Sequence, residues 1–307
     1  METLYITHPS CHLHEMGRWH PESPERLDAI NDQLLSSGLA SYLHERQARP
    51  ATDEDILRVH DAAYLQQLRQ QSPQQGYFNI DADTLMNPHT LEAAFAAAGA
   101  GLDAVDAVMN EGAAGAFCAV RPPGHHAERN RAMGFCFFNN VAVAAAYAMA
   151  RYGLTRVLIV DFDVHHGNGT EQIFAGDERV LMCSFFQYPF FPGSYQVPPP
   201  QNMVNIPVEA YTKSAQVLDV FTHECMPRIE AFRPEIVFFS AGFDAHREDE
   251  MGQLSLVEAD YAELTDRVVK ACAPTAGQRL VSMLEGGYDA SSLGRSVVAH
   301  VKALAGL

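Results

Sequence analysis

The stretch Val157-Leu158-Ile159-Val160-Asp161-Phe162-Asp163-Val164-His165-His166-Gly167-Asn168-Gly169 decides how this chain folds. Its first four residues are branched and apolar, a buried strand, and two carboxylates and two imidazoles follow within six positions. Polar groups gathered at the end of a buried strand need something to bind. Asp together with His suits zinc or a similar first-row ion, whereas calcium and magnesium prefer oxygen alone. Asp163 and His165 are two apart, so both face one side while Val164 faces the core. A catalytic zinc takes three protein ligands and leaves a position open for water; Asp244, at another strand end, is the natural third.

On either side of it, Ala116–Val120, Val180–Phe185, Ile236–Ser240 and Leu280–Leu284 read as further buried strands. Helical periodicity runs between them. One helix starts at Ser23-Pro24, with serine as N-cap and proline at the first position, and stops at Gly38. Others cover Asp53–Gln70, Leu91–Asn110, Asn140–Tyr152 and Tyr261–Ala273. Alternation of this kind predicts an α/β fold, a single domain over residues 1–307 with a central, mostly parallel sheet flanked by helices. The polar clusters obey one rule. Arg121-Pro-Pro-Gly-His125-His126, the acidic-histidine run, Ser240-Ala-Gly-Phe-Asp244 and Glu285-Gly-Gly-Tyr288 each close a strand. Open α/β sheets bind ligands beyond the carboxyl ends of their strands, so four distant segments converge on one rim.

Composition narrows the class. The 307 residues are 47% hydrophobic and show no linker or repeat. The Ala-rich stretch Ala93–Ala107 is broken by Asp103 and Asp106, which suits a packed helix better than a membrane span. Met1–Thr7 has no basic region leading into a long apolar core, so no signal peptide is expected. Six cysteines without paired spacing read as reduced packing residues of a cytoplasmic protein. The net charge of −17 disfavours nucleic acid and draws cationic substrates.

Loop and turn chemistry adds candidates. His125-His126 sits on a stiffened loop behind Pro122-Pro123-Gly124, and an imidazole beside a metal site can act as general base. Tyr288, after Gly286-Gly287, can aim a hydroxyl at a developing oxyanion.

Together these motifs resemble the zinc-dependent histone deacetylase and acetylpolyamine amidohydrolase family. The likeness runs from His20-Pro-Glu-Ser-Pro-Glu-Arg26 through Arg121–His126, Gly134-Phe-Cys-Phe-Phe-Asn139-Asn140 and Asp161–Thr170, then Phe191-Pro-Gly193, Ser240–Asp244 and Glu285–Tyr288. Asn168, where class I members carry an acid, resembles the class II branch, and the compact chain looks like a bacterial histone deacetylase-like amidohydrolase. The resemblance implies one zinc on Asp163, His165 and Asp244, with His126 as general base and His125 as its electrostatic partner and acid. Asp161 and Asn168 would orient these two histidines, and Tyr288 would polarise the amide carbonyl. Gly134, Phe135, Phe191, Met251 and Gly286 would contact the substrate in a narrow apolar tunnel. A structural potassium ion would sit on Asp161, Ser184, the Phe185 carbonyl and the backbone of Asp163 and His165. The implied reaction is amide hydrolysis on N-ε-acyl-lysine of a peptide or protein, with small acylated amines as the alternative substrate, no nucleic acid or membrane partner, and self-association left open.

The chain departs from its relatives in places. Tyr195-Gln-Val-Pro-Pro-Pro200 stands where a Gly-rich loop is usual, and Phe186 replaces the usual histidine after the strand. Met251 occupies the position where polyamine-selective relatives often carry an acid, which favours lysine in a peptide. Against it, Asp81, Asp83, Glu248, Asp249 and Glu250 lie in rim loops where they could recruit a cation. Ureohydrolases share the architecture but need two metals and bridging acids, and the segment around Asp244 offers one suitably placed acid. A non-catalytic acyl-lysine reader is the other class; such modules tend to lose the tyrosine or a ligand, and here all remain.

Overall fold

Branched and aromatic runs have nowhere to go in water, and burying one such side chain contributes roughly 1.5–3 kcal/mol. In the computed structural model, which describes residues 2–307, they become strands. These are β1 (Thr3–Thr7), β2 (Leu43–Gln47), β3 (Phe78–Asn79), β4 (Leu85–Met86), β5 (Ala116–Cys118), β6 (Val157–Asp161), β7 (Val180–Gln187), β8 (Met203–Val208), β9 (Ile236–Ala241) and β10 (Leu280–Leu284). Eight of them form one sheet in the order β2-β1-β5-β10-β9-β6-β7-β8, and every pairing in it is parallel. β3 and β4 form a small antiparallel pair.

The helices are α1 (Glu25–Ser36), α2 (Asp53–Ile56), α3 (Ala62–Gln71), α4 (Thr90–Asp106), α5 (Asn140–Tyr152), α6 (Asn168–Phe174), α7 (Ser214–Glu224), α8 (Met226–Phe232), α9 (Glu258–Ala276) and α10 (Ala290–Ala305). α4 and α5 pack on one face of the sheet; α9 and α7 cover the other, with α10 on α9 and α1 on α10. A parallel sheet needs both faces covered, and this one has them. It is a single α/β domain, as the alternation of elements predicts.

Three expectations needed correction. The helix foreseen over Asp53–Gln70 is two helices. A Thr52–Asp55 capping box starts α2, and His60 then turns inward, its Nδ1 2.9 Å from the Glu128 carbonyl and its Nε2 accepting from the Asn139 amide (2.9 Å). The Asp61 amide meanwhile donates to Arg129 O (2.9 Å), so the chain cannot continue as helix. Ser23 does not cap α1 with its hydroxyl: Pro24 holds the cap position and Ser23 offers its carbonyl to Arg26 N (3.2 Å). Finally, α4 stops at Asp106 and runs into a wider turn, Ala107–Glu111, that Gly112 ends in a left-handed conformation (φ 76°).

The register sets the site. Asp161, the last residue of β6, lies opposite Ser184 of β7 and Ser240 of β9, and Leu284 of β10 lies opposite Ala241. The carboxyl ends of β5, β6, β9 and β10 therefore share one rim, and the loops leaving them carry the four polar clusters.

Candidate active site

Beyond β6 and β9 the side chains of Asp163, His165 and Asp244 converge, with one donor atom of each within 4.8 Å of the others. All three are buried. Asp163 Oδ1 accepts from the His165 amide (2.9 Å) and lies 3.0 Å from His165 Nδ1; Oδ2 accepts from Gly286 N (2.9 Å). Asp244 Oδ1 accepts from Val164 N (2.9 Å). Its Oδ2 stands 3.2 Å from His165 Nδ1 but receives no hydrogen bond from the described residues, because that nitrogen is directed at Asp163. Burial and the charge of Asp163 push the Asp244 carboxyl up to about 7. Burial works against a charged His165, yet Asp163 and Asp244 outweigh it and lift the imidazole to about 10. An orphaned buried carboxylate oxygen beside a second carboxylate and an imidazole fits a divalent first-row cation, since the cation removes both the repulsion and the missing partner. Backbone close by allows no side chain: a Cβ on Gly242 would collide with Asp163, and one on Gly286 with Asp244.

The tandem histidines reach the same point from β5. Glu285, buried at the end of β10, holds their loop: Oε2 accepts from Gly124 N (2.7 Å) and His125 N (3.0 Å), and Oε1 from Ser240 Oγ (3.1 Å). His125 Nδ1 lies 3.0 Å from Asp161 Oδ2. His126 Nδ1 lies 2.8 Å from Asn168 Oδ1, while Asn168 Nδ2 donates to Glu128 Oε1 (2.9 Å). This network assigns the proton of neutral His126 to Nδ1 and leaves Nε2 a free lone pair. The two rings then diverge electrically. Burial opposes charge on His125, but Asp163 and Asp161 overcome it and hold its pKa well above the usual value. Burial, with the charges of His125 and His165, holds His126 well below it. Environments that push two histidines apart separate an acid from a base.

Above this floor is a cavity of about 200 Å³ with His126, His165 and Tyr288 at its inner end. Gly134 and Phe135 build one wall in left-handed backbone (φ 55° and 69°), and a Cβ on Gly134 would run into the His126 ring. Phe191 stands edge-on to His126 at 5.0 Å, and Phe190 stacks on His165 at 5.3 Å. Tyr288 packs edge-on against Phe135 (5.9 Å) with the Arg26 guanidinium 5.0 Å from its ring centre. Its hydroxyl takes no hydrogen-bond partner among the described residues, and burial, chiefly, raises its pKa well above the usual value, so it stays a donor at neutral pH. Apolar walls with a few polar groups at the closed end suit a straight aliphatic chain ending in a carbonyl.

Two sequence expectations sit differently. Gly286 lies beneath the carboxylates and does not line the cavity. Of the rim acids, only Asp83 and Glu250 border the mouth. Asp81 binds the Asp83 and Thr84 amides, Glu248 pairs with Arg295 (2.6 Å), and Asp249 is buried. Sequence reading gave no role to Glu285, Phe190 or Arg26, whose Nε donates to Gly287 O (2.6 Å) and Nη2 to Glu285 O (2.5 Å). A charged residue closing an apolar run, as Glu285 does, is the signal that marked Asp161 and could have marked it too. Ser184 is buried with one long contact, 3.4 Å to the Phe185 carbonyl. A larger hollow of about 510 Å³, near Val180 at the amino end of β7, lies away from all of these groups.

The family model described as histone deacetylase domain matches residues 20–304, a span that includes every residue of this site. This chain belongs to the histone deacetylase family. A histone deacetylase-like amidohydrolase of Pseudomonas aeruginosa is 36% identical over 94% of this chain and 77% of its own length. The human polyamine deacetylase HDAC10 is 37% identical over 93% of this chain, which spans 44% of that protein. The crystal structure of the HDA15 HD domain matches with a TM-score of 0.93 at 33% identity, covering 100% of this chain and 89% of that one. As a histone deacetylase family member the chain is a hydrolase of the deacetylase and amidohydrolase type. Among the described residues no helix is long and apolar enough to cross a membrane.

Proposed function

We propose that this histone deacetylase family member removes the acyl group from N-ε-acyl-lysine in peptides or proteins, with one zinc ion on Asp163, His165 and Asp244. The observation that carries the reading is that His126, its Nε2 left free by the Asn168 contact, lines the same apolar cavity as Tyr288 and His165, and His165 is one of the three converging candidate ligands. Bound there, the ion supplies a Lewis acid and lowers the pKa of water at that point. His126 Nε2 accepts the proton of the attacking water, its tautomer set by Asn168. The Tyr288 hydroxyl donates to the oxygen of the former carbonyl as that carbon becomes tetrahedral. His125, held cationic by Asp163 and Asp161, keeps a positive charge beside the reacting centre, and the leaving nitrogen receives its proton from this histidine pair. Phe135, Phe190 and Phe191 exclude water from the alkyl chain. Potassium on Asp161, Ser184 and the Phe185 carbonyl belongs to the same reading, as does a reducing, cytoplasmic setting, which six free buried cysteines fit.

Met251, half-buried in the cavity wall, favours lysine within a peptide. Acetylpolyamines are the second reading, favoured by Asp83 and Glu250 at the mouth, where a distal ammonium would meet two carboxylates. Amine release from acetyl-lysine peptides and from acetylated polyamines, measured side by side with and without chelator, separates them. Chelator-sensitive turnover of peptides alone supports the first reading. Turnover of polyamines alone keeps the mechanism and defeats the Met251 argument, and chelator-resistant turnover defeats the metal.

A further inference from the structure

Asp249 sits in a loop of charged residues, Arg247-Glu-Asp-Glu250, yet its side chain is turned inward and only 5% of the residue is exposed. Three backbone amides converge on it. Oδ1 accepts from Met251 N (2.9 Å), and Oδ2 accepts from Tyr288 N (2.6 Å) and Asp289 N (3.1 Å). Hydrogen bonds to an ionised carboxylate are the strong kind, and three of them account for much of what a buried carboxylate needs. The carboxylate therefore spans two chain segments. One leaves β9 through Asp244 and ends at Met251 in the cavity wall; the other leaves β10 and ends at Tyr288, one residue before the cap of α10.

The position of the Tyr288 hydroxyl depends on this anchor. The ring is braced by Phe135 and Arg26, but the hydroxyl itself is unbonded among the described residues, so the backbone decides where it arrives. Gly287 before it is fixed through its carbonyl by Arg26, and the Tyr288 amide itself is fixed by Asp249. An error of about 1 Å in a catalytic group can cost roughly a hundredfold in rate.

We propose that Asp249 is a positioning residue that holds the Tyr288 hydroxyl and the Met251 wall in one register, so that seating the acyl chain and stabilising the oxyanion are coupled. This rests on the role given above to Tyr288. Asparagine at 249 has one acceptor oxygen and one NH₂ for three amide donors. Its oxygen satisfies more donors on the Tyr288–Asp289 side, which leaves its NH₂ opposed to Met251 N. Alanine removes all three bonds.

The test compares kcat and KM of the zinc-loaded protein for an acetyl-lysine peptide in Asp249→Asn, Asp249→Ala, Tyr288→Phe and the doubles with Tyr288→Phe, with bound zinc and Tm as controls. Asp249→Ala is expected to lower kcat about tenfold or more at unchanged zinc content, and to lower it by less than about twofold once Tyr288 is already phenylalanine. Asp249→Asn is expected to keep most of kcat and to raise KM; if the alanine variant does not fold, this split decides, and it should vanish in a Met251→Ala background. A merely structural carboxylate would lower Tm and multiply with Tyr288→Phe, which overturns the proposal. Unchanged kcat and KM in both Asp249 variants overturn it as well. Full turnover by Tyr288→Phe alone is a different failure: it removes the role of Tyr288 itself.

Discussion

In the proposed mechanism the chemistry turns on Tyr288, whose hydroxyl has no hydrogen-bond partner among the described residues and which lines the cavity with His126 and His165. Tyr288→Phe removes one donor and little else, so turnover of an acetyl-lysine peptide should fall by ~10²–10³ while bound zinc stays the same; near-normal turnover would contradict the assignment. Gly134→Ala is the companion test of the wall. The new methyl meets the His126 ring, and the backbone there is left-handed, so kcat should fall with little change in bound zinc, since no ligand is touched. Most of the polar site was legible, because Asp161, Asp163, His165, His125-His126 and Tyr288 lie within a few residues of the strand ends that carry them. Glu285 carried the same mark, a charge closing an apolar run, but the inward turn of Asp249 did not show, because its partners are backbone amides, and amides leave no mark in a sequence.

At the scale of elements, what was hidden is what lacks pattern. β2 reads Leu-His-Glu-Arg-Gln and is largely exposed at the sheet edge, so it shows no run of apolar residues. α10 carries Gly294, which reads as a breaker but is there because a Cβ would press on the Ala29 carbonyl of α1. The same logic gives a prediction for α4. A Cβ on Gly99 would collide with the Arg49 carbonyl, so Gly99→Ala should destabilise by about 1–3 kcal/mol in denaturant titrations, against the gain expected for alanine in a free helix. α9, α10 and β10 meet at His300. Thr265 Oγ donates to Tyr261 O (2.6 Å) and so accepts from His300 Nδ1 (2.7 Å), which leaves Nε2 to accept from Ser282 Oγ (2.8 Å). The neutral ring is fully paired, and burial lowers its pKa to about 3. The unfolded chain, with an ordinary histidine near 6.5, then binds the extra proton between those values, so stability is complete above about 6.5 and is lost as pH falls toward 3. The steepest loss from this group is about 1.4 kcal/mol per pH unit. Unfolding free energies followed from pH 7 down to 5 should steepen toward that slope, and His300→Gln should flatten the low end by about one proton even though it is less stable at pH 7. An unchanged slope would place the acid sensitivity elsewhere, with His60, lowered to about 4 by burial, as the next candidate.

Over the whole molecule, fold and charge act together. An all-parallel sheet delivers four strand ends to one rim, and that much followed from the alternation of elements and the polar residue closing each strand. A net charge of −17 gives the chain as a whole a field that attracts cations. kcat/KM for a cationic acetyl-lysine peptide should fall as salt is raised from 0.05 to about 0.5 M, while a neutral acylated substrate should show little change. Equal salt dependence for both would mean the charge serves only to keep molecules apart. One metal ion at Asp163, His165 and Asp244 is tested most directly by amine release from an acetyl-lysine peptide as zinc is returned to chelated protein. Turnover should be absent without zinc and reach its plateau at about one equivalent per chain. Undiminished turnover after chelation, or a plateau only at two equivalents, would contradict it.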